Sequence, residues 1–236
     1  MRIVVNHLTR MEEGYCCVAG IDPETQGHIR PVLPAGQRLS TGFLQPGGGA
    51  FNMATEVDIG ETQVCGQPPH VEDYAFEPIR AIKVRDVDPS TFWVMLQTVA
   101  ATTLQGVFGD ALKPRGNTCA VELSTGRASL GCLELRQPPT LEVHDFGDGP
   151  KIRAHLSDGV FTCSVSVADI RLYETDHRTP RRAEVERLSN RIASGVGAIL
   201  SVGLARPWLK PGDTVERNWL QVNDLHLADD PTWKLG

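Results

Sequence analysis

No apolar run in this sequence approaches the ~20 residues that a bilayer-spanning helix needs. The opening Met1-Arg2-Ile3-Val4-Val5-Asn6-His7 reads as a strand and lacks the regions of a secretory signal. A soluble, cytoplasmic protein without membrane contact is therefore expected. No C-x-x-C pair occurs among the six cysteines at 16, 17, 65, 119, 132 and 163, which excludes zinc knuckles and dithiol redox motifs. Cys119, Cys132 and Cys163 stand inside apolar strand patterns, where a reduced thiol behaves as a small hydrophobe. Gly47-Gly48-Gly49 is not followed by Lys-Ser or Lys-Thr, so a Walker-type phosphate loop is missing. Gly195-Val196-Gly197 follows a helix instead of the strand that a Rossmann turn requires. No serine or cysteine nucleophile motif is present. A surplus of positive charge is lacking too: the net charge is −6. Residues 1–150 hold 11 Lys and Arg against 18 Asp and Glu, a balance of −7, and residues 151–236 hold 12 against 11, a balance of +1. That argues against tight nonspecific binding of duplex DNA, whose affinity comes mostly from phosphate neutralisation. A local basic groove remains compatible with it.

What the sequence does have is many short strand patterns punctuated by Gly and Pro. With 236 residues, one large β domain or two of about 100 residues each can bury a core. Ile3–Val5, Tyr15–Ile21 and His28–Leu33 read as three strands, joined by Glu12-Glu13-Gly14 and the turn-rich 22–27. A long Gly/Pro loop follows at 34–49. In 78–87, Ile82 and Val84 alternate with Lys83 and Arg85, which predicts an inward apolar face. Asp88 or Ser90 begins a helix whose stripe Phe92, Met95, Leu96, Val99 and Thr103 ends near Gly106. Thr118–Ser124 and Ala128–Leu135 read as a hairpin that closes the first domain. Gln137-Pro138-Pro139 reads as a linker, because a prolyl pair blocks strand continuation.

Beyond it, 141–146, 151–156 and 160–167 alternate as strands, most clearly in Phe161, Cys163, Val165 and Val167 against Thr162, Ser164 and Ser166. Thr179 and Pro180 mark the start of a second helix with Val185, Leu188 and Ile192 on its apolar side and Arg181, Arg182, Arg187 and Arg191 on the other. Strands near Ile199–Leu204 and Asn218–Leu227 finish the chain. The expected fold is mainly β with two helices: two small OB-like barrels in tandem, 1–137 and 138–236, each with one helix.

Three groups of words, His7 to Asp22 with His28 to Val32, Pro69-His70-Val71-Glu72-Asp73, and Leu200 to Trp208 with Trp219 to Asn223, resemble bacterial proteins described as dual OB-containing domains. The resemblance spans nearly the full chain and implies two fused barrels. It also implies nucleic-acid or nucleotide binding, often beside prokaryotic defence systems. No catalytic residues carry over from it, and no cofactor or bound metal is expected.

The residues suggest where a ligand would lie. His7, Arg10, His28 and Arg30 converge if the first strands form a meander, since neighbouring strands lie about 4.8 Å apart; arginines and histidines on one face suit phosphate or base contacts. Arg206, Trp208 and Trp219 place aromatics beside a cation, the combination on which single strands stack. The expected ligand is thus single-stranded nucleic acid or a nucleotide, held by His7, Arg10, His28, Arg30, Arg206, Trp208 and Trp219. Two alternatives stand beside this binding module: a metal-assisted hydrolase or nuclease built on His70, Glu72 and Asp73, and an interaction subunit with a protein partner in a larger complex.

Overall fold

The computed structural model describes residues 1–147 and 149–236. Its first sheet contains β1 (Arg2–Arg10), β2 (Tyr15–Ile21), β3 (His28–Val32), β4 (Leu39–Ser40), β5 (Thr55–Asp58), β6 (Thr62–Val64), β7 (Asp73–Phe76) and β8 (Ile82–Asp86). The helix α1 (Pro89–Val99) and the two-residue β9 (Ala100–Ala101) follow, then α2 (Leu104–Phe108). The second sheet takes β9 together with β10 (Lys113–Arg115), β11 (Thr118–Val121), β12 (Leu130–Glu134), β13 (Thr140–Phe146), β14 (Gly149–Ser157), β15 (Thr162–Val167), β16 (Ala198–Leu204) and β17 (Asn218–Leu227), with α3 (Arg182–Ala193) between β15 and β16.

Each sheet curls into a barrel that the chain itself closes. In the first, the hydrogen-bonded order is β6-β7-β3-β2-β1-β5, and β5 continues into β6 through Ile59-Gly60-Glu61. Gly60 has φ +73°, a left-handed bend that glycine takes without penalty. One bent strand thus pairs with β1 at one end and β7 at the other. In the second, the order β13-β14-β15-β17-β16-β12 closes because β12 runs into β13. The prolyl pair at 138–139 lies at that bend: it ends one ladder and lets the next begin, as proline does at strand breaks. The first sheet pairs β3 with β7 in parallel, and the second pairs β15 with β17 and β9 with β12 in parallel.

Several expectations change on this geometry. The expected boundary at 137/138 falls inside the second sheet, between β12 and β13, and the change of sheet comes at 87–99. The expected hairpin of 118–135 does not pair with itself: β11 pairs with β10 and β17, and β12 with β16 and β9. The first helix is interrupted. Asp88 caps it by accepting from Thr91 N at 3.0 Å, but Ala100 and Ala101 extend to pair with Cys132 and Leu133, and Thr103 then caps α2. Sheet pairing outweighs the helical period there, so among the described residues three α-helices form where two were expected. α3 starts at Arg182 with Arg181 at its N-cap; Pro180 instead bridges to Tyr173, and Asp176 takes the Thr179 amide at 2.8 Å. Ile82 and Val84 do not face inward. β8 is an edge strand exposed along its whole length. The passage 34–49 folds into three single 3-10 turns and β4, burying Leu39 and Leu44.

Two apolar cores result. Ile3, Val5, Leu8, Phe51 and Val57 fill the first barrel. Leu133, Ile152, Val165, Val202 and Val222 fill the second. The first core also takes Phe92 and Leu96 of α1 together with Cys132 and Ile199 of the second sheet, so the barrels pack against each other. Among the described residues all six thiols are free, and Cys16, Cys119, Cys132 and Cys163 are buried. Among them no helix is long and apolar enough to cross a membrane.

Candidate functional site

The barrels meet along β1 and β17, and the seam is polar. Leu8 N donates to Asp224 Oδ2 at 2.7 Å, Arg10 N to Ala168 O at 2.8 Å, and Ser201 Oγ to Asn6 O at 2.8 Å. Arg171, fully buried, forms a two-pronged pair with Asp169 at 2.9 and 2.7 Å and lies 3.5 Å from Asp224. Two buried carboxylates beside one guanidinium cannot both ionise easily. Burial, then the Asp169 charge, push Asp224 well above the usual carboxylate range, against the pull of Arg171. Buried polar groups of this kind need partners; the Arg171 guanidinium finds its own within the second barrel, in Asp169 and Leu225 O, whereas the backbones of Asn6, Leu8 and Arg10 find theirs across the seam.

Beside the seam lies a groove of about 650 Å³, lined from both barrels. β1 contributes Thr9 and Arg10, β2 Cys16 and Cys17, β3 Arg30, the 34–38 turn Arg38, and the second barrel Arg206, Gln221 and Asn223. Four arginines (Arg10, Arg30, Arg38 and Arg206) and one acidic residue, Asp73, are among its lining, and Asp73 pairs with Arg30 and Arg206. Arg10 Nη1 donates to His177 O at 2.6 Å and its guanidinium sits 3.9 Å above the Tyr173 ring. Its Nε has no partner, nor has the hydroxyl of the buried Thr9. Arg38 is exposed and stands 5.8 Å from the Tyr15 ring. The groove is a positive concavity with unsatisfied polar atoms, in an acidic protein. Burial raises the thiol pKa of Cys17, keeping it neutral and poorly nucleophilic.

Arg30 is anchored by residues that sequence reading placed in a separate candidate cluster. β3 and β7 run parallel with Arg30 opposite Asp73; Arg30 Nε donates to Asp73 Oδ1 at 2.6 Å and Nη2 to His70 Nδ1 at 3.0 Å and Ser129 Oγ at 3.1 Å. A guanidinium only donates, so His70 Nδ1 accepts and Nε2–H donates to Asn218 Oδ1 at 3.0 Å. Burial, then the Arg30 and Arg206 charges, lower the His70 pKa to about 4. Glu72 accepts from the Ser129 amide at 2.8 Å, the Ser129 hydroxyl at 2.7 Å and Leu130 N at 3.2 Å. Asp73 Oδ2 takes Arg206 at 2.7 Å. Each donor atom of His70, Glu72 and Asp73 that would hold a metal is therefore engaged. These three residues clasp the first barrel to the second, which is where the hydrolase alternative loses its ligands.

The seven residues expected to bind ligand separate into two sets. Arg10, Arg30 and Arg206 line the groove together. His7, only 1% exposed, lies behind it: Asn223 Nδ2 donates to its Nδ1 at 3.1 Å, and its ring meets that of His28 edge-on at 5.5 Å. Burial lowers the His28 pKa to about 4 and takes His7 well below the ordinary imidazole value, His28 adding to the latter. Trp208 and Trp219 are outside the lining set. Trp219 is buried with its indole N–H on Trp208 O at 2.9 Å, so it offers no open face for stacking; Trp208 is exposed. The sequence reading missed Arg38, Gln221 and Asn223. Arg38 was hidden in a Gly/Pro passage, and the other two alternate along β17 by the two-residue period, facing a surface that a partner sheet supplies.

A family model described as a dual OB-containing domain matches residues 1–225. No curated protein and no solved structure matches the chain.

Proposed function

Because the chain belongs to the dual OB-containing domain family, whose barrels point to a general binding role, we propose that it binds single-stranded nucleic acid or a nucleotide in the groove between the barrels. The observation that carries this reading is the lining: four arginines against one carboxylate in about 650 Å³. A phosphate would meet the exposed Arg38 and half-exposed Arg206 first, with Arg10 and the Thr9 hydroxyl deeper. The net charge of −6 disfavours binding of long duplexes elsewhere on the chain. Gln221 Nε2 donates to Asn223 Oδ1 at 2.7 Å and Asn223 in turn to His7, which leaves the Gln221 carbonyl as the acceptor for a base edge.

The test is a fluorescence-anisotropy titration of labelled single-stranded DNA and RNA at low and moderate salt, with unlabelled nucleoside mono- and triphosphates as competitors. Binding that weakens with salt, and weakens further in Arg38→Ala and Arg206→Ala, supports the reading; competition by mononucleotides assigns the smaller ligand. No binding of either class at low salt removes it. The second reading, a protein-interaction subunit, has one observation in its favour: Ile79 and Ile82 are 89% and 66% exposed beside the open edge of β8, and unpaired edges recruit strands. Light scattering of the purified chain and of Ile82→Glu tests whether that edge pairs with another copy.

A further inference from the structure

We propose that Glu142, His144 and His155 form a surface site for a divalent transition-metal ion of the zinc class, on the opening hairpin of the second barrel. In the register of β13 and β14, Thr140 faces His155, Glu142 faces Arg153 and His144 faces Lys151. Directly opposed residues share a face, and so do residues two apart. Glu142, His144 and His155 therefore project from the same outer face, His144 two residues along the same strand from the carboxylate and His155 diagonal to it on the neighbouring strand. His144 Nε2 lies 2.8 Å from Glu142 Oε2, and His155 Nε2 lies 3.6 Å from the same oxygen. The three donor atoms all lie within 4.8 Å of one another.

Zinc bonds of about 2.0–2.2 Å to imidazole and carboxylate place neighbouring donors roughly 3.3–3.5 Å apart in a tetrahedron. The observed separations bracket that value, so a metal needs small rotations of exposed side chains and no movement of the ladder. Two imidazoles with one carboxylate suit Zn²⁺, Ni²⁺ or Cu²⁺ better than Mg²⁺ or Ca²⁺, which take oxygen. Two cations stand opposite the site in the ladder, Arg153 across from Glu142 and Lys151 across from His144. Arg153 bonds Ser164 and Ser166 on β15, and Lys151 Nζ stands 5.7 Å from the Phe146 ring. Both Nε2 atoms approach one carboxylate oxygen, the arrangement in which one ion replaces shared protons. Three protein ligands leave a fourth position for water or a donor from a partner molecule. The site is separate from the groove, since none of its residues lines it.

The experiment titrates ZnCl₂ into the full chain by calorimetry at pH 7.5, with CoCl₂ absorption as the spectroscopic readout. The expected result is one zinc per chain with micromolar affinity. His144→Ala and His155→Ala should each lose more than ~10-fold, at least the loss that disturbing a supporting shell alone brings, and Glu142→Gln should lose less than either histidine variant. Cobalt should give nitrogen/oxygen-type bands without thiolate charge transfer. Because all three side chains are exposed, the variants should keep the wild-type melting temperature, which is checked alongside. Absence of stoichiometric binding, binding that survives both histidine variants, or a thiolate signature from the cysteines overturns the proposal.

Discussion

Asp73 on β7 and Arg206 beyond β16 form an ion pair of 2.7 Å that ties one barrel to the other at the groove. The carboxylate is 9% exposed and the guanidinium 52%, and the same carboxylate holds Arg30 at 2.6 Å from within its own barrel. One negative charge thus fixes two of the four groove arginines. Its two partners differ in burial, and so should the consequences of removing them. Arg206→Ala should cost about 1 kcal/mol or less of stability, as for half-exposed pairs, while lowering anion affinity. Urea denaturation beside the anisotropy assay separates the two effects; a large stability loss would show that the pair is structural first.

Arg30→Ala should destabilise by about 3–5 kcal/mol, because it leaves Asp73, His70 and Ser129 with unsatisfied buried groups. Arg30→Lys should not rescue it, since an ammonium lacks the planar fork that reaches all three. Equal denaturation midpoints for Lys and wild type would contradict this.

For a single-stranded ligand, each lost phosphate contact should flatten the slope of log affinity against log salt by about 0.7. The Arg38→Ala and Arg206→Ala double variant should therefore show a clearly shallower salt dependence than wild type. An unchanged slope would place the phosphates elsewhere.

Trp208→Ala should leave affinity within about two-fold, because Trp208 lies outside the groove and stacking on a bound base is worth ~1–3 kcal/mol only where the ring meets it. It holds Trp219 by its backbone carbonyl, which alanine keeps. A ten-fold loss would move the site towards the β16–β17 connection.

Acid should loosen the seam. His226 is pushed down to about 3 and His28 and His70 to about 4, in each case mainly by burial; His7 is lowered as well. Unfolded imidazoles take protons near pH 6.5, so between that value and the folded pKa the unfolded chain binds more protons. Stability held above pH 6.5 is lost as pH falls towards 4 and 3. Asp224, raised in the folded state, has the opposite sign: its contribution is present at low pH and fades as pH rises through its folded value. With four histidines against one carboxyl, the melting temperature should fall from pH 7.5 to 5. His226→Gln should reduce the fall; a flat profile would mean that the imidazoles are solvated.

Strand content, the α3 stripe and the buried cysteines could be read from the sequence because they follow from local periodicity. Phe161, Cys163, Val165 and Val167 needed only the two-residue period of a half-buried strand, and Cys163, Val165 and Val167 are buried. The prolyl pair at 138–139 was visible too, but its meaning was not. A proline pair reports that a ladder stops; it does not report whether the next ladder belongs to the same barrel.

Composition and alternation alone determined a mainly β chain, and short words along it carried the likeness to dual OB-containing domains. Tertiary structure alone decided how the candidate residues combine. Arg30 and Asp73 lie 43 positions apart and meet because β3 and β7 are parallel neighbours, a pairing for which no local signal exists. That contact turns His70, Glu72 and Asp73 from a suspected metal site into the clasp that positions an arginine. The same long-range packing buried Trp219 and His7 and brought Arg38 to the groove. Local periodicity fixes which way a side chain faces; which surface it faces depends on strands paired far away in the chain.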